Sequence, residues 1–169
     1  MLVVLSDTHS TDDTKLRERT REAVEGADLV VHAGDFYREP VLDEFERTAD
    51  SLRAVFGNND GVTIRDRLPE VRTVEFGGVR FAVTHKHRSG DTGLVMLARG
   101  RDADAVICGH THRPRFDDST AVPILNPGSH AQPRGNRPAH AELESADGGL
   151  DGRLVTPDGE VFERFRIER

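Results

Sequence analysis

Lysine and cysteine are almost missing from this chain, and long apolar runs are missing altogether. Cys108 is the single cysteine, so no disulfide can form within the chain. Its setting in Ala105-Val106-Ile107-Cys108 predicts a buried thiol, not a reactive one. Lys15 and Lys86 are the only lysines, and arginine supplies every other cation. The 23 basic residues face 30 acidic ones, a formal net charge of -7. That balance argues against binding long nucleic acid, which needs clustered cations to displace counterions from the backbone. An acid-rich, lysine-poor surface suits high salt, although a GC-rich genome would also raise arginine over lysine. No apolar stretch approaches the ~20 residues needed to cross a bilayer. Met1 to Asp7 lacks the basic leader and cleavage site of a signal peptide, so the expected address is cytoplasmic, with no membrane partner.

What is present fits one domain over residues 1–169, long enough to bury a core without staples. Leu2 to Leu5 and Leu29 to Ala33 are continuous apolar runs, the mark of strands buried on both faces. Helices are expected from Thr14 to Gly26, capped by Asp12, Asp13 or Thr14, and from Pro40 to Leu52, with a strand at Arg53 to Phe56. This alternation predicts parallel pairing with right-handed crossovers. Val71 to Phe76 and Val79 to Thr84 flank Gly77-Gly78, a hairpin signal. A helix from Asp91 to Arg101 and a strand from Asp104 to Cys108 follow. The remainder reads as strands at Pro114 to Asp117, Ala121 to Asn126, Ala139 to Ser145, Leu150 to Thr156 and Glu160 to Ile167. Pro157-Asp158-Gly159 is the expected turn between the last two. Two sheets sharing one core, with helices outside, is the simplest packing.

The chemistry lies in short strings that follow these strands: Asp7-Thr8-His9, Gly34-Asp35, Gly57-Asn58-Asn59-Asp60, Thr84-His85 and Gly109-His110-Thr111-His112. In open α/β sheets, ligands bind beyond the carboxyl ends of strands. In Asp7-Thr8-His9 and His110-Thr111-His112 the donors stand two apart, so on extended backbone they project to one side. Asp35 has two oxygens and can bridge two ions. The donors are hard oxygens and imidazoles, suited to Mn²⁺, Zn²⁺, Fe or Ni. Each string alone is weak, but the ordered set is not explained by coincidence. His32, inside a strand, is expected to be a hydrogen-bonded interior residue.

Taken together, these strings make the chain resemble the calcineurin-like metallophosphoesterase superfamily, in its small prokaryotic phosphodiesterase branch, from Asp7 to Arg134. The resemblance implies an α/β fold, a four-layer α-β-β-α sandwich of two mixed sheets flanked by helices. It also implies a binuclear centre with two divalent ions, Mn²⁺ foremost. Asp7, His9, Asp35 and His112 would hold one ion, and Asp35, Asn58, His85 and His110 the other. The implied reaction is hydrolysis of a small or nucleotide-like phosphodiester by a metal-bridging hydroxide, with Asp35, Asn58, His85 and His110 as the catalytic set. Asn59, Ser129 and Arg134 are the expected substrate contacts. The alternatives are a phosphomonoesterase and a protein-interaction scaffold, the role of a retromer subunit that resembles these enzymes. The strand-rich C-terminal segment could present a homo-oligomer interface.

Two positions depart from the family pattern. Many members carry a His after the metal-binding Asn, able to protonate the leaving group, but here Asn59 stands there and an amide is no acid. Poor activity on alkyl leaving groups is therefore expected, unless His87 or His130 supplies the proton. Lys86 replaces the usual Gly after the ligand histidine, which opens a choice between His85 and His87; the motif position favours His85.

Overall fold

A computed structural model describes residues 1–169. Strands β1 (Leu2–Leu5), β2 (Leu29–His32) and β3 (Leu52–Ala54) alternate with helices α1 (Glu18–Glu25) and α2 (Glu39–Thr48). A short helix, α3 (Val62–Arg67), precedes the hairpin of β4 (Val71–Phe76) and β5 (Val79–Thr84). Helix α4 (Gly90–Arg99) leads into β6 (Ala105–Ile107), β7 (Arg115–Asp117) and β8 (Ile124–Asn126). The chain closes with β9 (His140–Ala146), β10 (Gly149–Val155) and β11 (Val161–Glu168). No helix is long and apolar enough to cross a membrane.

The strands form two mixed sheets, ordered β11-β10-β9-β1-β2-β3 and β4-β5-β6-β8-β7. The parallel pairs β1 with β2 and β2 with β3 are those the alternation predicts. Side-chain alternation along β1 then explains the layering. Leu2 and Val4 enter the core between the sheets with Phe81, Val83, Ile107 and Leu125. Val3 and Leu5 point the other way, onto Ala23, Val24, Val41, Leu42 and Phe45 of α1 and α2. On the far side, Ala82, Val106 and Ile124 pack under Leu94 and Ala98 of α4. A strand covered on both faces reads as an unbroken apolar run.

The differences from expectation sit at element ends. Helix α1 starts at Glu18, with Arg17 as N-cap and no side-chain cap. Lys15 and Glu18 hold φ of 52° and 41°, outside the helical range, so the Asp12 to Thr14 segment is loop, not cap. Helix α2 ends at Thr48, whose hydroxyl donates to the Glu44 carbonyl at 2.8 Å, and the strand begins at Leu52. Helix α3 buries Ile64 alone, so it carries no apolar stripe for periodicity to detect.

Candidate metal centre

The carboxyl ends of β1, β2, β5 and β6 open toward one crevice, and the loops there take strained backbone conformations. Asp7, His9, Asp35, His110 and His112 hold positive φ, from 45° to 72°, where a side chain crowds the backbone. Such strain persists only where the surroundings over-determine it. Two motif glycines make the approach possible. A Cβ at Gly57 would strike the Asp35 carboxylate, and one at Gly109 would strike Ser6 Oγ and Asp7 Oδ2.

Within the crevice, Asp7 is fully buried and divides its work between its oxygens. Oδ2 accepts from Ser6 Oγ at 2.7 Å and from the His110 N–H at 2.9 Å. Oδ1 has no hydrogen-bond partner and lies 3.3 Å from His112 Nε2, 3.6 Å from His9 Nε2 and 4.0 Å from His85 Nε2. Asp35 Oδ2 lies 3.3 Å from His9 Nε2 and 3.2 Å from His85 Nε2. Asp7, His9 and His112 form one compact donor group, and Asp7, Asp35 and His85 another.

These spacings fit metal ions. Donors around an ion with ~2.1 Å bonds stand roughly 3.0–3.4 Å from one another. Asp7 Oδ1, His9 Nε2 and His85 Nε2 are buried without partners, a costly condition unless something else joins them. The rings are aimed from behind. His85 Nδ1–H donates to the Ala33 carbonyl at 2.8 Å, and His112 Nδ1–H donates to the Gln132 carbonyl, which leaves each Nε2 lone pair facing the carboxylates. Burial opposes a charge on His9, yet the Asp35 and Asp7 carboxylates outweigh it and push its pKa up to about 9. His85 is raised against burial by the same carboxylates. Asp35, which burial would raise, is held far below the carboxylate range by His85 and His9. The field at this point favours a cation.

Five expected ligands therefore come together: Asp7, His9, Asp35, His85 and His112. His110 stands beside them, exposed, its ring edge-on to His85 at 5.4 Å. Asn58 is exposed at the rim, its backbone carbonyl accepting from Arg65 at 2.7 Å. His85 faces the carboxylates, while His87 lies against Gly93 of α4 and accepts from the Ser89 N–H at 3.2 Å. His32 is buried and stacked 3.8 Å from Phe36, joined to Thr8 Oγ1 at 2.9 Å.

Among the expected substrate contacts, Ser129 lies behind the Asp7 loop. It is fully buried; its hydroxyl donates to the Asp7 carbonyl at 2.7 Å and accepts from the Gln132 N–H at 2.7 Å, so it holds the Asp7 loop and offers no surface to a substrate. Asn59 is exposed but turned onto Asp35, to which its side-chain amide donates at 2.8 Å. Arg134 is exposed, and its charge helps to depress His112 after burial and despite Asp7. His130 is no proton donor to the crevice: it is buried, its Nε2–H donates to the Thr14 carbonyl at 2.9 Å, and burial lowers its pKa to about 4.

Two positioning residues were not singled out by the sequence. Asp60 accepts from the N–H groups of Asp35, Gly57 and Tyr37 at 3.0, 2.7 and 2.7 Å, pinning the Asp35 loop to the Asn58 loop. Asn126 donates to the Gly109 carbonyl at 2.8 Å and to Thr111 Oγ1 at 3.1 Å, pinning the loop of His110 and His112. Their only sequence signals were the membership of Asp60 in the Gly57 to Asp60 string and the place of Asn126 at the end of an expected strand.

Residues 1–147 match the calcineurin-like phosphoesterase superfamily domain. A probable metallophosphoesterase of Methanothermobacter thermautotrophicus is 31% identical across 100% of this chain and 99% of its own. A phosphodiesterase of Methanocaldococcus jannaschii is 30% identical, covering 74% of this chain and 81% of its own. Among solved structures, a predicted phosphoesterase of Streptococcus pneumoniae superposes with a TM-score of 0.77 at 28% identity, over 98% of this chain and 96% of that one. Vps29 of Entamoeba histolytica, solved with zinc, shares the fold with a TM-score of 0.78 at 23% identity over 99% of both chains.

Proposed function

Since the chain belongs to the calcineurin-like phosphoesterase superfamily, we propose that it is a metal-dependent phosphodiesterase acting on a small or nucleotide-like phosphodiester. The observation that carries this reading is the convergence of three buried, partnerless donor atoms, Asp7 Oδ1, His9 Nε2 and His85 Nε2, beside Asp35 and His112. In this reading Asp7, His9, Asp35 and His112 hold one divalent ion, and Asp35, Asn58, His85 and His110 hold a second. The donor set suits Mn²⁺ foremost, with Zn²⁺, Ni²⁺ or Fe as alternatives.

When bound, two such ions lower the pKa of a water from ~15.7 to ~7, supplying a nucleophile, and stabilise the entering and leaving oxygens of an in-line displacement. The protein's own residues do the positioning. Asp35 would serve both positions, since its Oδ2 lies 3.3 Å from His9 Nε2 and 3.2 Å from His85 Nε2, and Asn59 keeps the carboxylate from turning. The Ala33 and Gln132 carbonyls fix the rings of His85 and His112. Arg134, exposed at the rim, is the proposed contact for the substrate's phosphate oxygens.

A panel of aryl phosphodiesters, phosphomonoesters and cyclic phosphates, assayed with Mn²⁺ and with a chelator, tests this reading. Chelator-sensitive hydrolysis of diesters in preference to monoesters is expected; monoester preference would assign a phosphomonoesterase. Asn59, which cannot protonate a leaving group, is the one observation favouring the scaffold reading. Metal-loaded protein inert to the whole panel would favour that reading.

A further inference from the structure

A second feature adjoins the metal-binding crevice. His9 also lines a cavity of about 420 Å³, together with Thr8, Arg17, His130 and Gln132, a volume in the range of small-ligand sites. Pro138 and Pro157 stiffen its outer wall. Four stretches of chain meet there: the loop after β1, the approach to α1, the loop after β8 and the β10–β11 turn. Gln132 links the two spaces, because its backbone carbonyl holds the His112 ring while its side chain stands exposed at the cavity.

The wall chemistry is polar and incompletely satisfied. The Gln132 side-chain amide is free of hydrogen bonds to protein, and Arg17 makes no ion pair, unlike Lys15, which is held by Asp12 and Asp13 at 3.4 and 3.1 Å. His130 must carry its proton on Nε2, since a carbonyl can only accept, and burial keeps the ring neutral. Its Nδ1 is therefore an acceptor, and it is buried without a partner. A buried polar atom left in that state is costly. Ala131 is the one apolar side chain besides the prolines, and no Phe, Tyr or Trp lines the space to stack on a base.

We propose that this cavity receives the ester arm of the substrate that the enzyme retains, and that the arm is hydroxylated, a glycerol or sugar group, instead of a nucleobase-bearing or cationic one. The inference rests on the phosphodiesterase reading and narrows its substrate class. Hydroxyls can accept from Arg17 and from the Gln132 side-chain N–H and donate to the Gln132 side-chain oxygen, whereas a quaternary ammonium arm meets the unpaired Arg17 charge.

Calorimetric titration of the Mn²⁺-loaded protein with four monoester products separates these possibilities: methyl phosphate, glycerol 3-phosphate, thymidine 5′-monophosphate and phosphocholine. Glycerol 3-phosphate should bind about tenfold more tightly than methyl phosphate, the size expected for one or two added hydrogen bonds. Thymidine monophosphate should gain nothing over methyl phosphate, and phosphocholine should bind most weakly. Arg17→Gln and Gln132→Ala change exposed side chains and keep the backbone contacts of Gln132, and each should cut the glycerol preference to about threefold or less. A thymidine monophosphate affinity above that of glycerol 3-phosphate, or variants that weaken methyl and glycerol phosphates equally, would overturn the proposal. A glycerol preference in protein that hydrolyses no diester would support the cavity assignment and remove only the phosphodiesterase reading.

Discussion

Asn59 holds both oxygens of Asp35: its backbone N–H donates to Oδ1 at 2.8 Å, and its side-chain amide donates to Oδ2 at 2.8 Å. The amide that replaces the family's histidine thus acts on the carboxylate proposed to bridge two ions. Groups that orient a metal ligand typically contribute ~10–100-fold to metal affinity. Asn59→Ala, which keeps the backbone bond and loses the other, should raise the Mn²⁺ dissociation constant by about tenfold. Equilibrium dialysis measures it; unchanged affinity would make the Asn59 side chain incidental.

Without an acid at position 59, and with His130 sealed against Thr14, the leaving group is expected to depart with little protonation. Rates across a series of aryl and alkyl diesters should therefore fall steeply as leaving-group pKa rises. His87 is the remaining candidate donor, half-buried beside α4. A flat dependence that becomes steep only in His87→Ala would assign the proton to that residue and contradict the expectation.

Gly109 leaves room for Ser6 Oγ and Asp7 Oδ2 to meet the turn before His110. Gly109→Ala forces a Cβ into both, so it should displace Asp7 and cost at least tenfold in metal affinity, comparable to loss of an orienting contact. The thermal midpoint should fall as well, because the Asp7 loop is packed against Ser129. Dialysis and calorimetry on one preparation report both effects.

The fold's layering was legible because β1 and β2 are covered on both faces and read as unbroken apolar runs, while Gly77-Gly78 marks the β4–β5 hairpin. The convergence of Asp7, His9, Asp35, His85 and His112 was legible from strings that follow strands. What stayed hidden depends on distance, not on pattern. Ser129 looked like a loop residue near substrate, yet its hydroxyl turns inward to Asp7. Asp60 and Asn126 orient loops far from them in sequence, across 25 and 17 residues. The onset of α1 depends on positive φ at Lys15 and Glu18, which no residue type there signals.

His130 gives the protein an acid sensitivity apart from its metal centre. Its pKa falls from 6.5 to about 4 through burial, so the folded state prefers the neutral ring. The stability this contributes is complete above pH ~6.5 and is lost as pH falls through about 4, on the order of 3 kcal/mol at ~1.36 kcal/mol per pKa unit. His32, also depressed by burial, acts in the same direction. Urea unfolding of metal-free protein between pH 7 and 4 should show this slope, and His130→Gln should flatten it.

The most direct test is the rate of aryl phosphodiester hydrolysis as Mn²⁺ is titrated into metal-free protein, alongside Asp35→Ala. The wild type should rise to a plateau near two equivalents, consistent with a two-ion site, and Asp35→Ala should stay near background. Full activity in Asp35→Ala, or a wild type that binds two ions and hydrolyses no ester, would contradict the account.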